Sequence, residues 1–457
     1  MRREFSGSMR WATFLSGSIA AVVLMICLPT GRAFAQFGGG FGSSAVGGVS
    51  INPDGVVSAP TIEDQRALEK VRQQVLTQAP TALQAFTELR AVSLKQLEAT
   101  LAKHHEQSLP IPDDVKFLAG LQRVQYVLIY PERNDIVLAG PAEGWDLDAL
   151  GNVVGATTRR PVLLLDDLII ALRTRQTSRL EAISCSIDPT PEGVQRLRAL
   201  ASRLRTIGNP RTTMQRLEEA LGPQVVSVSG VPATSHFARS MVAADFRMKR
   251  LAMNFQPAPV DNMPSFLHLV KASGRGMQDM MPRWWLAPKY EPLARDADGL
   301  AWQLRGQGVE CLTEQDYFNS DGLREHSGKA SPAAARWART LTERYAELAD
   351  HDSAFAELRN VMDLAVVAAL IDKEQLLQRA GLELPLLLNE ETSERYPAPR
   401  RVASQASFIQ RGRNWVISTS GGVQLLPWEV ADRTELSDAV DTVRQQFSAG
   451  TDAWWWE

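Results

Sequence analysis

The sequence between residues 124 and 253 alternates strand-like and helix-like segments, and this alternation constrains the fold more than any other feature. Apolar, β-rich runs at residues 124–130 and 136–139 are joined by a short polar segment, as in a hairpin. Helical patterns follow at 165–175, 190–204, 213–221 and 235–253, with strand-like runs at 182–187 and 225–228 between them. Such an alternation predicts a mixed sheet covered by helices.

The rest of the chain divides into segments of different composition. Thr61 with Asp64, and Ser93 with Gln96, resemble capping boxes at the starts of two helices. We predict an α+β protein with a mixed, largely antiparallel sheet, covering helices, a helical N-terminal region and a β-rich C-terminal end. The predicted segments are a signal peptide (1–35), a flexible Gly/Ser leader and short β-hairpin (36–60), a helical region (61–110), an α/β region (111–255), a linker with a short helix and a β-meander (256–318), a loop and a helical pair (319–390), and a linker with C-terminal strands and a Trp-rich tail (391–457).

Composition excludes several classes of protein. The chain has 457 residues, of which 44% are hydrophobic and 22% charged, so it is neither a disordered nor a collagen-like chain. Its formal net charge of -3 argues against general nucleic-acid binding, which requires a surplus of Lys and Arg. Two or three units with ordinary hydrophobic cores fit this length.

The first 35 residues have the three parts of a secretory signal. A basic start is followed by an apolar stretch at 11–28, and Ala33 and Ala35 supply the small residues that a signal peptidase reads. We predict cleavage after Ala35 and a secreted or periplasmic protein of 422 residues. A retained membrane anchor is the alternative, because 18 residues is the lower limit for a spanning helix. No later apolar run reaches that length, so we predict no transmembrane segment after cleavage.

Catalytic and cofactor motifs are incomplete. No phosphate-binding loop or dinucleotide fingerprint has the required spacing, and the six histidines do not form a metal-binding pattern. We therefore predict no metal and no cofactor. His236 and Ser240 lie one helical turn apart, with Asp245 further along, so a nucleophile with a general base is the remaining catalytic hypothesis. The alternative is a capped helix on which these polar groups have no catalytic role.

Tryptophan and arginine suggest a binding face. Arg283, Trp284, Trp285 and Trp302 lie in strand-like segments, and exposed Trp beside Arg is typical of sugar- or peptide-binding surfaces. Adjacent Trp residues on a strand point to opposite faces, so one of the first two is expected in the core. The Trp triplet at 454–456 is expected to dock either on its own fold or on a partner.

Two cysteines, Cys185 and Cys311, remain after the predicted cleavage. In an oxidising compartment they can form a disulfide, yet both lie in apolar strand-like runs where buried free thiols are also common. The sequence leaves both alternatives open, because spacing along the chain does not give the distance between the two Cα atoms.

Five phrases of the sequence resemble one known family as a set. They are VLIYPE at 127–132, NDIVLAGPAEGW at 134–145, CSIDPTPEG at 185–193, SHFAR at 235–239 and MPRWW at 281–285. Together they resemble a family of secreted planctomycete proteins filed as domain of unknown function 1598, over residues 121–370. The resemblance implies an extracytoplasmic setting and no known activity, so no site residue is carried over.

The sequence thus favours a non-enzymatic binding or envelope-associated protein. Its expected partner is an envelope component (a polysaccharide, a peptide or a protein) and not a nucleic acid. The alternative is a hydrolase that acts on an envelope polymer, peptide or polysaccharide, through His236 with Ser240 or Asp245.

Overall fold

A computed structural model describes residues 44–46, 49–61, 66, 76–148, 151–204, 209–272, 281–318, 324–326, 328, 330–389, 392–404, 419–447 and 453–457. All of them belong to one compact unit, Phe37–Glu457. The predicted signal peptide, most of the Gly/Ser leader and Asp64 of the first capping box lie outside the described residues.

The fold class is α+β, as predicted, with strands and helices distributed along the chain. The strands are β1 (Ser44–Val46), β2 (Val49–Ile51), β3 (Val56–Ser58), β4 (Thr87–Ser93), β5 (Tyr126–Tyr130), β6 (Asp135–Ala142), β7 (Trp145–Leu147), β8 (Val153–Gly155), β9 (Ile183–Asp188), β10 (Gln224–Ser229), β11 (Met281–Lys289), β12 (Leu293–Arg295), β13 (Ala301–Gln303), β14 (Gly308–Phe318), β15 (Arg324–His326), β16 (Arg401–Val402), β17 (Ser420–Leu425), β18 (Thr434–Leu436) and β19 (Trp455–Trp456). The helices are α1 (Thr81–Gln84), α2 (Leu94–Glu106), α3 (Asp113–Lys116), α4 (Leu165–Thr174), α5 (Pro191–Arg203), α6 (Pro210–Leu221), α7 (His236–Ala252), α8 (Phe266–Ala272), α9 (Pro332–Glu343), α10 (Tyr345–His351), α11 (Ser353–Lys373), α12 (Leu376–Ala380), α13 (Pro427–Ala431) and α14 (Asp438–Gln446).

The larger sheet has the strand order β1-β2-β3-β16-β10-β9-β17-β11-β14-β15. Its pairs are antiparallel except β3 with β16 and β11 with β17. Gly421 in the central strand β17 has φ +121°, and a Cβ there would lie 1.6 Å from the carbonyl oxygen of Trp284 on β11. A glycine is therefore required where these two strands pair.

The second sheet has the order β18-β12-β13-β5-β6-β4-β19. The predicted hairpin of residues 124–139 is present as β5 and β6, which pair from Tyr126 with Ala139 to Tyr130 with Asp135. The prediction of a helical region at 61–110 is wrong for Thr87–Ser93, because β4 pairs there with β6 on one side and β19 on the other.

Polar caps start the predicted helices at the expected residues. The hydroxyl of Thr190 accepts the N–H of Gly193 at 3.0 Å, and that of Ser235 accepts the N–H of Ala238 at 3.1 Å. Ser331 caps α9 in the same way, and Ser93 caps α2. These side chains satisfy N–H groups that a helix leaves unpaired in its first turn.

Helix α11 is buried along most of its length and packs against α4, α7, α10 and α13. Its side chains join the main hydrophobic core together with those of α4 and α7. No helix among the described residues is both long enough and apolar enough to cross a membrane.

Cys185 and Cys311 are free, buried thiols. Cys185 lies on β9 and Cys311 on β14, and strands β17 and β11 separate them in the sheet. Three strand spacings amount to about 14 Å, well beyond the Cα separation of a disulfide. Of the two alternatives that the sequence left open, the structure has the free thiols.

Candidate functional site

Helix α7 carries an unusual series of buried polar side chains. Its buried polar residues are His236, Arg239, Ser240, Asp245 and Lys249. Polar groups at this depth must be paired to be stable, so the partners of each group show what the helix can do chemically.

His236 is held by a partner from a distant part of the chain. Its Nδ1 lies 2.9 Å from the Oδ2 of Asp167, in the first turn of α4, and both side chains are about 5% exposed. Burial lowers the pKa of His236, but the Asp167 carboxylate outweighs this effect, so the pKa is raised above its ordinary value. The imidazole is therefore stabilised in its protonated form.

Ser240 faces the same imidazole nitrogen but has no base to activate it. The Ser240 hydroxyl lies 3.4 Å from Nδ1 of His236 and 3.2 Å from the backbone carbonyl of His236. Because Nδ1 donates its proton to Asp167, it cannot also accept a proton from Ser240. The hydroxyl instead donates to the carbonyl one turn earlier, which is a common helix contact.

Asp245 lies apart from His236 and Ser240. Nine residues separate it from His236 along α7, about 13 Å at the rise of an α-helix. Its Oδ2 accepts a hydrogen bond from Nζ of Lys249 at 2.9 Å. Nζ also donates to the carbonyls of Ile187, at 2.6 Å, and Gly421, at 3.1 Å. Burial raises the pKa of Asp245 to about 7, although Lys249 opposes the shift. This pair joins α7 to β9 and β17.

A partly exposed acidic rim lies beside His236. Asp166 accepts the backbone N–H of Glu394 at 3.1 Å, and the Tyr396 hydroxyl lies 3.2 Å from a Glu394 carboxylate oxygen. The Tyr396 ring packs against His236 and against the guanidinium of Arg239. Burial, and then repulsion from Glu394, raise the pKa of Asp166 to about 7. This rim, Asp166 with Glu394 and Tyr396, connects residues 394–396 to the starts of α4 and α7.

A groove of about 720 Å³ opens at the other end of α7. Its volume lies within the range of small-molecule sites. Its lining combines amide, hydroxyl, imidazole and guanidinium groups with apolar side chains: Leu251, Asn254, Gln256, Pro257, Ala258, Val260, Asp261, Asn262, Met263, Pro264, Ser265, His268, Arg336 and Trp337. Neither His236 nor Ser240 nor Asp245 is among these lining residues.

Two buried polar atoms of the groove's lining residues have no hydrogen-bond partner among the described residues. They are the carbonyl oxygen Oε1 of Gln256 and the indole Nε1 of Trp337. One is an acceptor and the other a donor. Leaving such groups unpaired costs about 1–3 kcal/mol each, so a ligand that reached both buried atoms and supplied both kinds of partner would gain affinity.

The predicted Trp and Arg residues are divided between the core and the surface. Trp284 and Trp302 are buried, and the Trp284 ring packs 4.7 Å from that of Trp337, behind the groove. Trp285 and Arg283 are partly exposed and stack on each other at 5.2 Å. None of the four lines the groove.

The terminal Trp triplet docks on its own fold. The antiparallel pairing joins Trp455 to Val92 and Trp456 to Ala91. Arg90, fully buried, donates to the Glu457 carboxylate at 2.6 Å. Within the described part of the chain, no group of three or more His, Cys, Asp or Glu side chains is arranged to hold a metal ion.

Sequence reasoning missed Asp167 and the groove. Asp167 lies 69 residues before His236, and no spacing rule connects them. The Gln-Pro-Ala-Pro segment at 256–259 reads as a linker, but its first three residues line the groove. Asn254 and Asn262, on either side of this segment, have left-handed backbone, at φ 57° and φ 55°, a conformation in which asparagine is enriched; the two asparagines by themselves do not distinguish a groove wall from a linker.

The chain was compared with known families, curated proteins and solved structures. No curated protein and no solved structure matches it. One family model matches residues 185–266, from β9 to the start of α8, and therefore includes all of α7 and the groove segment 254–265. This match is shorter than the 121–370 expected from the sequence phrases. It confirms the resemblance: residues 185–266 of this chain match the family described as "Protein of unknown function (DUF1598)".

Proposed function

We propose that this protein is a non-enzymatic binding protein of the cell envelope, and that its ligand site is the groove beside the C-terminal end of α7. The proposal rests on a groove of about 720 Å³, of which two lining residues, Gln256 and Trp337, each carry a buried polar atom that has no hydrogen-bond partner among the described residues. The groove segment lies within the family-matched residues.

The lining chemistry favours a neutral, hydroxyl-rich ligand. Asn254, Gln256 and Asn262 offer amide groups that both donate and accept hydrogen bonds. The charged residues of the lining, Asp261 and Arg336, have opposite signs, so no net field selects an ion. Apolar side chains alternate with these groups, as a saccharide with polar edges and apolar faces requires. We propose a neutral glycan chain of the envelope as the ligand.

The N-terminal sequence supports the same setting. The basic start, the apolar stretch and the alanines at 33 and 35 are typical of a cleaved signal. We propose a secreted or periplasmic location. Mass measurement of the protein recovered from the expressing cell tests it, because cleavage after Ala35 leaves a chain that begins at Gln36, whereas a retained anchor keeps all 457 residues.

The hydrolase alternative receives no support from the geometry of α7. Nδ1 of His236 is engaged by Asp167, Ser240 donates to a backbone carbonyl, and Asp245 is bonded to Lys249. A nucleophile needs a free basic nitrogen within hydrogen-bond reach, and these contacts supply none at Nδ1.

A ligand titration tests the proposed groove. Neutral oligosaccharides and uncharged peptides are titrated into the full chain, and binding is measured by calorimetry. The double variant Asn254→Ala with Gln256→Ala is expected to weaken glycan binding at least tenfold. The matched control is Gln215→Ala, an exposed amide on α6 outside the groove. Binding of peptides alone would revise the ligand class, and binding unaffected by the double variant would refute the groove.

A further inference from the structure

A second feature, separate from the groove, is a buried arginine that has neither a hydrogen-bond partner nor an ion-pair partner among the described residues. Arg359 on α11 is 6% exposed, and its Nε makes no hydrogen bond within the described residues. Nor does any ion pair in the described part of the chain include it. A buried guanidinium without hydrogen bonds or a counter-charge is strongly destabilising, so its presence needs an explanation.

The carboxylate one helical turn further along α11 is already engaged by other groups. Asp363, one helical turn after Arg359, is fully buried. Its Oδ1 accepts hydrogen bonds from the Tyr290 hydroxyl, at 2.6 Å, and from Arg123, at 2.9 Å. Its Oδ2 accepts a second bond from Arg123, at 2.8 Å. This bidentate pairing neutralises Arg123 and leaves the charge of Arg359 uncompensated.

A glycine turn brings the two arginines to one place. Arg123 donates to the carbonyl of Gly306 at 3.3 Å, and the aliphatic part of Arg359 lies over Gly308, where a Cβ would be 2.9 Å from its Cγ. The Arg123 side chain is 19% exposed. Three of its five N–H groups are used by Asp363 and Gly306, so donors remain for another acceptor.

Two further polar groups packed near this cluster, Asp350 and Tyr345, have other partners. Asp350, from α10, is engaged by Arg160 at 2.8 Å. The Tyr345 hydroxyl donates to the carbonyl of Phe355 at 2.9 Å. Burial, and then the charge of Arg123, lower the pKa of Arg359, while Asp363 and Asp350 act in the opposite direction.

We propose that Arg359 and Arg123 form a binding site for a small oxyanion of the phosphate or sulfate class. Guanidinium groups recognise such anions through paired N–H donors. The anion supplies the counter-charge that Arg359 lacks and accepts the free N–H groups of both arginines. This site is separate from the groove, and neither arginine lines the groove.

Thermal unfolding of the full chain tests the proposal. Sodium phosphate, sodium sulfate and sodium acetate are titrated at constant ionic strength adjusted with NaCl. Phosphate or sulfate is expected to raise Tm by about 1–2 °C for each tenfold increase above the dissociation constant, while acetate has a smaller effect. Absence of any oxyanion response in the wild type overturns the proposal.

Variants then locate the response. Arg359→Met is expected to abolish the phosphate response and, without added anion, to unfold at or above the wild-type temperature, because it removes an unpaired buried charge. The matched control is Arg216→Met, an exposed arginine on α6, which is expected to leave the response intact. If Arg359→Met does not fold, Arg359→Gln, which also removes the charge, and calorimetry of the wild type with phosphate replace it. A phosphate response that persists in either Arg359 variant, or a wild type that binds no phosphate by calorimetry, overturns the proposal.

Discussion

From the acidic rim we predict how the free energy of unfolding depends on pH. Asp166 has a pKa of about 7 in the folded protein, against 3.8 for an ordinary aspartate, because burial and the neighbouring Glu394 both disfavour its ionised form. The perturbation is Asp166→Asn. This change removes the ionisation and keeps the Oδ1 atom that accepts the Glu394 N–H.

Proton linkage gives the direction and the size of the change in the free energy of unfolding. Between pH 3.8 and about 7 the folded chain binds a proton at Asp166 that the unfolded chain has released, so the free energy of unfolding falls as pH rises. Each unit of pKa shift corresponds to about 1.4 kcal/mol. The shift of about three units therefore corresponds to at most about 4 kcal/mol, lost between pH 4 and pH 7. The raised pKa values of His236 and Asp245 act in the same direction and are present in both proteins.

The assay compares urea unfolding of the wild type and the variant at pH 4, 5, 6, 7 and 8. The stability of Asp166→Asn relative to the wild type is expected to increase steadily from pH 4 to about pH 7 and then to stay constant. The control is Asp146→Asn on β7. There, backbone and Arg159 contacts lower the pKa, so the variant's relative stability should not increase with pH. A pH-independent difference between wild type and Asp166→Asn would refute the reasoning.

Two glycines, the C-terminal carboxylate contact and the two buried cysteines give further predictions. Gly421→Ala is expected to prevent folding, because the added Cβ would overlap the neighbouring strand. The control Gly328→Ala, with no atom within 4 Å of its Cβ, should cost only about 1 kcal/mol in backbone strain. Circular dichroism and Tm distinguish the two variants. Glu457→Gln removes the counter-charge of buried Arg90 and should destabilise the chain by about 1–3 kcal/mol, with faster proteolytic loss of the tail. Both buried cysteine thiols, whose pKa values are raised by burial, should react with a thiol reagent only after unfolding; rapid reaction of the folded chain would contradict their placement.

Local signals in the sequence predict helix starts well. Thr190 followed by Pro191, and Ser331 followed by Pro332, combine a capping hydroxyl with a residue preset for the first helical turn. The hydrogen bond that forms each of these caps joins residues within four positions of each other, so it does not depend on contacts with distant parts of the chain. The same holds for Ser235 at the start of α7.

Strand β4 shows where local reasoning fails. Its residues lie between two segments with helical patterns, and the capping box at Ser93 marks only where the next helix begins, so local reasoning assigned the whole region to helices. The strand exists because β6 and β19 supply hydrogen bonds on both sides, and β19 comes from the other end of the chain. Strand formation depends on such partners more than on intrinsic preference.

The buried pair of His236 and Asp167 illustrates a similar limit for the candidate site. The sequence suggests Ser240 and Asp245 as partners of His236, because they are its polar neighbours along one helix. The actual partner is on α4, and its choice depends on how α4 and α7 pack. The residue types that catalysis uses are therefore present, while their arrangement stabilises the packing of two helices.

The groove, like the His236–Asp167 pair, depends on contacts between segments that are distant in the sequence. A polar, proline-containing loop at 256–265 has the same composition whether it is a solvated linker or one wall of a binding site. What distinguishes the two is the element opposite, and here that is α9, which places Arg336 and Trp337 across from the loop. Trp337 is fixed in turn by Trp284, a buried residue that the sequence assigned to a binding face. Trp284 therefore serves the groove from behind, by positioning the residue that lines it.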